Sequence, residues 1–151
     1  MVSFGQSNLP KEHLKLLEKV QNEIYDNPQL AKSDLDSAFL QIEKQKIEIL
    51  KAKAYNLYGD IYLVNSDYEI SIQYFLKANE FAEEFENSEE LAISFFGIAS
   101  NYSSLEQYNK AIKYYNQALE IYESIDNLKG ISSVYNDIGR IYYWQNDIEK
   151  A

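Results

Sequence analysis

Apolar side chains along this chain recur at steps of three and four, as at Tyr55, Tyr58 and Tyr62 and again at Ile72 and Phe75. That spacing gathers them on one face of an α-helix, so each stretch predicts an amphipathic helix. Polar runs break the pattern at Asn65-Ser66-Asp67, Leu105-Glu106-Gln107 and Gln145-Asn146-Asp147. Side chains there can cap the second helix of a pair, which predicts antiparallel helices joined by short turns.

The pattern repeats. Shifting Tyr55, Tyr58, Gly59, Tyr62, Tyr68, Ser71, Phe75 and Ala78 forward by 40 lands on Phe95, Ile98, Ala99, Tyr102, Tyr108, Ala111, Tyr115 and Ala118. A second shift gives Tyr135, Ile138, Gly139, Tyr142, Ile148 and Ala151. Ile72 with Ile112, Tyr74 with Tyr114 and Glu80 with Glu120 agree as well. The small residue at Gly59, Ala99 or Gly139 is expected to let the second helix approach closely. Units therefore fall at 52–91 and 92–131, with a partial unit at 132–151. Stacked repeats do not normally stop midway through a pair, so the chain reads as a piece of a longer protein.

Ahead of these units, Ala31, Leu35 and Ala38 stand one period before Ser71, Phe75 and Ala78. A first helix is expected from Lys11 to about Asp26, with Leu14, Leu17, Val20 and Ile24 apolar, and Pro28 suits the first turn of the next. The segment 11–51 lacks the Gly and Tyr columns and reads as a divergent capping pair, preceded by a flexible stretch at 1–10. Ile47 occupies the column of Asn87 and Asn127, so a helix break and a continuous helix both remain open between Phe39 and Tyr58.

Composition narrows the picture. Apolar residues at 46%, charged residues at 25%, five Gly and two Pro suit a folded all-α chain, and the pairs set out above make about seven helices. A net charge of -10 repels phosphate backbones and anionic lipid, which argues against nucleic acid as a partner of this segment. No apolar stretch approaches the roughly 20 residues that span a bilayer, so membrane insertion by this segment is not expected. The opening residues 2–8 have neither the charged start nor the full apolar core of a signal peptide. A cytoplasmic location follows, or a periplasmic one if they are the trimmed remnant of such a signal.

Catalytic machinery is not visible. The chain has no Cys, and His13, its one imidazole, cannot alone build a zinc site or a triad. The glycines are scattered singly, without a phosphate-cradling loop. Glu83-Glu84 and Glu89-Glu90 read as solvated faces and helix-start charges. The fourteen tyrosines read first as core packing, with hydroxyls reaching the surface or a partner. No catalytic residue, metal or cofactor is expected, and the chain is read as a non-enzyme.

The order aromatic, large apolar, Gly or Ala, Tyr, then Tyr, Ala, aromatic and Ala resembles the tetratricopeptide repeat, whose commonest unit is about 34 residues. The period here is similar to a longer subclass: where the family often has Pro near the end of the second helix, this chain has Glu83 and Glu123, so that helix is expected to run on to turns near Asn87 and Asn127. The resemblance implies a right-handed α-solenoid of antiparallel helix pairs, with stacked first helices lining a concave surface. It assigns that surface to Asn56, Asp60 and Leu63, to Phe96, Ser100 and Ser103, and to Asn136, Arg140 and Tyr143. The structural columns are Tyr55, Tyr58, Gly59, Tyr62, Ala78, Ala99, Tyr102, Ala111, Ala118, Gly139 and Tyr142.

Asn56 and Asn136 share a column, and an amide that both donates and accepts suits the backbone of an extended peptide. Arg140 could pair with a ligand carboxylate. The Lys and Asn clamp of chaperone-binding members is not matched, because Asp60 would repel a carboxylate terminus. The implied function is a scaffold for a protein or peptide ligand, serving as the N-terminal sensory or interaction part of a longer bacterial regulator. Self-assembly into a homo-oligomer through the unfinished unit is the alternative.

Overall fold

The computed structural model describes residues 11–150, with side chains as far as Gln145. Seven helices follow one another: α1 (Lys11–Glu23), α2 (Pro28–Lys44), α3 (Lys51–Val64), α4 (Tyr68–Glu84), α5 (Ser88–Ser104), α6 (Tyr108–Ser124) and α7 (Leu128–Lys150). A 3-10 turn, Glu48–Leu50, leads into α3. There is no strand among the described residues. Each helix packs on its neighbours in the chain, and the first helices α3 and α5 also lie side by side.

One turn geometry is used five times. Lys46, Ser66, Glu86, Glu106 and Asp126, 20 residues apart, take positive φ angles of 55°, 64°, 52°, 58° and 55°. At each, the N–H of the next residue reaches back to a carbonyl of the last helical turn, as Asp67 does to Tyr62 and Gln107 to Tyr102, both at 2.8 Å. The left-handed residue itself donates to the carbonyl three back, Ser66 to Leu63 at 2.9 Å and Glu106 to Ser103 at 3.0 Å. These are the paired bonds that close a Schellman turn and satisfy carbonyls left over at a helix end.

Lys46 makes this turn between α2 and α3, so the stretch from Phe39 to Tyr58 contains a break and not a continuous helix. The signal is the 20-residue phase of the turns and not a turn-forming side chain. Capping also differs from the sequence reading. Asp67 and Gln107 make no side-chain cap. Asn27, Asn87 and Asn127 do, each accepting from a backbone N–H three residues on, at 3.1, 3.3 and 2.9 Å.

A second correction concerns Gln145-Asn146-Asp147, where a turn was expected and α7 instead runs straight through. Among the described residues no helix covers the outer side of α7. Tyr62 stacks on Tyr74 and Tyr102 on Tyr114, whereas Tyr142 in the same column is 57% exposed. Gly139 likewise has nothing within 4 Å of where a side chain would begin.

The second helices bury identical phases. Ala31, Leu35, Ala38 and Ile42 of α2 become Ser71, Phe75, Ala78 and Ala82 of α4, then Ala111, Tyr115, Ala118 and Tyr122 of α6. Small residues alternate with large ones, and the ring of Phe75 enters the gap between the first helices α3 and α5, against Gly59 and Gly97. Tyr58 and Tyr115, both buried, send their hydroxyls to Asp36 at 2.7 Å and Asp137 at 3.4 Å.

Candidate functional site

The first helices α3, α5 and α7 carry the nominated face, and its residues sit in two neighbouring places. On α3, Lys53, Asn56 and Asp60 fall at i, i+3 and i+7, one stripe on a helix that is otherwise mostly apolar. That stripe meets the start of α5. Asn56 is 2% exposed, and its Nδ2 donates to the backbone oxygen of Glu90 and to Glu90 Oε2, each at 2.9 Å. Lys53 Nζ stands 3.7 Å from Glu90 Oε1. The Asn56 amide is thus committed inside the protein, while its column partner Asn136 is exposed to water.

Burial sets the electrostatics of this seam. Loss of water around Asp60, reinforced by the nearby Glu90 charge and opposed by Lys53, pushes its carboxyl up to about 7. Glu90 is also raised by burial, against the pull of Lys53 and the Asn56 hydrogen bond. Burial, with Glu89, Glu90 and Asp60 adding to it, lifts the Tyr122 hydroxyl to about 12. Two carboxyl groups short of positive charge therefore share one seam.

The second place is a cleft of about 140 Å³ lined by Ser100, Ser103 and Ser104 of α5, Tyr115 of α6, and Asp137, Arg140 and Trp144 of α7. Ser100 Oγ donates to the backbone oxygen of Phe96 at 3.0 Å and lies 3.2 Å from the Tyr115 hydroxyl. Arg140 pairs with Asp137 at 3.0 Å and lies over the Trp144 ring, 4.9 Å from its centre. A guanidinium held flat by an aromatic face keeps donors free for a further acceptor.

Of the other nominated residues, Leu63 and Phe96 are half-buried, Phe96 with its ring edge on Tyr115 at 5.2 Å, and Tyr143 is exposed. The structure gathers Asn56 and Asp60 into the seam and Ser100, Ser103 and Arg140 into the cleft. Glu89 and Glu90 both stand in the first turn of α5, as helix-start charges do, but only Glu89 is exposed; Glu90 corrects the solvated part of the reading, turning inward because Asn56 and Lys53 receive it. Lys53 extends the Asn56–Asp60 stripe by one turn, and that polar stripe was the available sequence signal. Trp144 and Asp137 lie one turn from Arg140 on α7 and follow from the same rule.

Among the described residues no group of three or more His, Cys, Asp or Glu side chains is placed to hold a metal ion. No helix there is long and apolar enough to cross a membrane. A family model described as tetratricopeptide repeat matches residues 50–124. Among solved structures, aspartyl phosphate phosphatase F from Bacillus subtilis superposes with a TM-score of 0.80 at 22% identity, covering 93% of this chain and 37% of that one. At that identity the likeness shows the shared helical-repeat fold, and the present chain spans just over a third of the other protein's length. No curated protein sequence matches the chain.

Proposed function

From the fact that residues 50–124 belong to the tetratricopeptide repeat family, we propose that this chain is a protein-interaction scaffold whose concave face binds an extended peptide or protein segment. The observation that carries the reading is the cleft between α5 and α7, where three serine hydroxyls, a buried tyrosine hydroxyl and an aromatic-backed guanidinium converge. Short hydroxyls adapt to backbone donors and acceptors, and the Arg140 fork suits a carboxylate. The wider role is the N-terminal sensory or interaction part of a longer bacterial regulator acting in the cytoplasm. The resemblance of its tyrosine-rich repeats to those of such regulators supports this.

Panning the full chain against a random-peptide library tests the groove. Peptides so selected are expected to lose at least about tenfold in affinity when Ser103 is replaced by Tyr or Tyr143 by Ala, and to keep it when exposed Glu80 is replaced by Ala. Dependence on Glu80 with indifference to Ser103 and Tyr143 would place binding elsewhere and end the proposal.

One observation favours a second reading, self-assembly. The α7 side that bears Tyr135, Gly139 and Tyr142 is open, although α4 and α6 cover the matching columns in the preceding pairs. Mass in solution measured over a concentration series decides, and a monomer throughout would rule this second reading out.

A further inference from the structure

The seam between α3 and α5 holds more acceptors than its own donors satisfy. Asp60 has no hydrogen bond or ion pair among the described residues, although it is half-buried. The Asn56 amide gives its nitrogen to Glu90 and leaves Oδ1 buried without a partner. Asn56 lies one helical turn from Asp60 on the same face of α3. Opposite them stand the carboxylate of Glu90 and, next to it, that of Glu89. Against these the seam has, among the described residues, one cation, Lys53, at a loose 3.7 Å from Glu90, and the neutral hydroxyl of Tyr122, which supplies no positive charge. Buried acceptors ordinarily find donors, so a seam this short of them is built to receive one.

We propose that the seam is a socket for a cationic side chain, lysine or arginine, carried by the peptide that the concave face binds. The inference rests on the groove reading above and names the chemistry of one ligand residue. An ammonium or guanidinium entering beside half-buried Asp60 would donate to Asp60 and to Glu90. Leu63 and Phe96, half-buried on the adjoining columns, offer apolar surface for the aliphatic stem. A bare metal ion suits the place less well, because the ammonium of Lys53 already stands beside Glu90. The net charge of -10 steers cationic segments toward the whole chain. Raised titration of both carboxyl groups agrees with a site that lacks its positive partner.

The same random-peptide panning, run on the full chain at pH 8 and low salt, provides the test. Selected peptides are expected to share Arg or Lys at one position, and citrulline or norleucine at that position to weaken binding at least about tenfold. Asp60→Asn, which keeps size and removes a desolvated charge, is expected to fold and to bring the two peptides within about twofold of each other. In wild-type protein the bound peptide is expected to move the Asp60 titration, followed by carbon NMR of its carboxyl, downward. Groove-binding peptides without a shared basic residue, or an Arg preference that survives Asp60→Asn, would overturn the socket while leaving the groove intact. A library that yields no peptide on the concave face would overturn both. The peptide composition and the wild-type titration decide the matter even if the variant were unstable.

Discussion

The ring of Phe75 occupies the space in which a side chain at Gly97 would begin. It lies against Gly59 on the other side, where a methyl carbon would come within 2.7 Å of the ring. Phe75 is fully buried, so it cannot swing away, and two glycines on neighbouring first helices define its slot. Gly97→Ala is therefore expected to destabilise the chain by about 1–3 kcal/mol through overpacking, in spite of a better helix former. Gly139→Ala, with open space around it, is expected to stabilise by about 0.5–1 kcal/mol. Urea unfolding of both variants checks the pair, and a gain at Gly97 equal to that at Gly139 would refute the slot.

Those glycines show what was readable in the sequence. The 40-residue shift places Gly59, Ala99 and Gly139 in one column, yet Gly97 belongs to a column with Leu57 and Asp137. Its need for a hydrogen comes from the neighbouring repeat, because Phe75 reaches forward from α4 to α5 as well as back to α3. Column reading sees contacts within a unit and misses those between units. The helix pairs themselves were legible because every second helix keeps its buried positions in one phase, from Ala31, Leu35 and Ala38 through to Ala111, Tyr115 and Ala118. The seam was half legible: Asn56 and Asp60 stood out as polar residues on an apolar helix, but the inward turn of Glu90 depends on a neighbour distant in sequence.

Asn56 and Asn136 occupy one column with opposite surroundings, which separates their effects. Asn56→Ala removes two donations to Glu90 and leaves that carboxylate buried with Lys53 alone, an expected loss of about 1–3 kcal/mol. Asn136→Ala at an exposed site is expected to stay within about 0.5 kcal/mol of wild type. Unfolding midpoints in urea measure both, and equal midpoints would show that the buried amide carries no stability.

The five left-handed turn residues are Lys, Ser, Glu, Glu and Asp, and none is the glycine that this backbone favours. A side chain at positive φ costs about 1–2 kcal/mol relative to the right-handed region. Glu106→Gly is therefore expected to raise stability by about 0.5–1 kcal/mol, less than that cost because glycine also frees the unfolded chain. Glu120→Gly, inside α6 and exposed, is expected to lower stability by about 1 kcal/mol. Thermal unfolding of the two variants should move in opposite directions, and a shared direction would contradict the turn geometry.

Asp60 gives the chain a definite pH dependence. Its carboxyl titrates from the ordinary 3.8 up to about 7 in the folded state, because burial and Glu90 disfavour its charge more than Lys53 favours it. Between those two values the folded chain keeps a proton that the unfolded chain has lost, so this group's contribution to stability declines as pH rises through that window and levels off above 7. Glu90 is shifted in the same direction and adds to the decline. Asp60→Asn cannot ionise, so its advantage over wild type is expected to be small at pH 4 and to grow to about 1–2 kcal/mol at pH 8. Urea unfolding of both proteins at pH 4, 6 and 8 measures that difference. An advantage independent of pH would mean that the Asp60 carboxylate is already compensated, and that the seam has no need of an added cation.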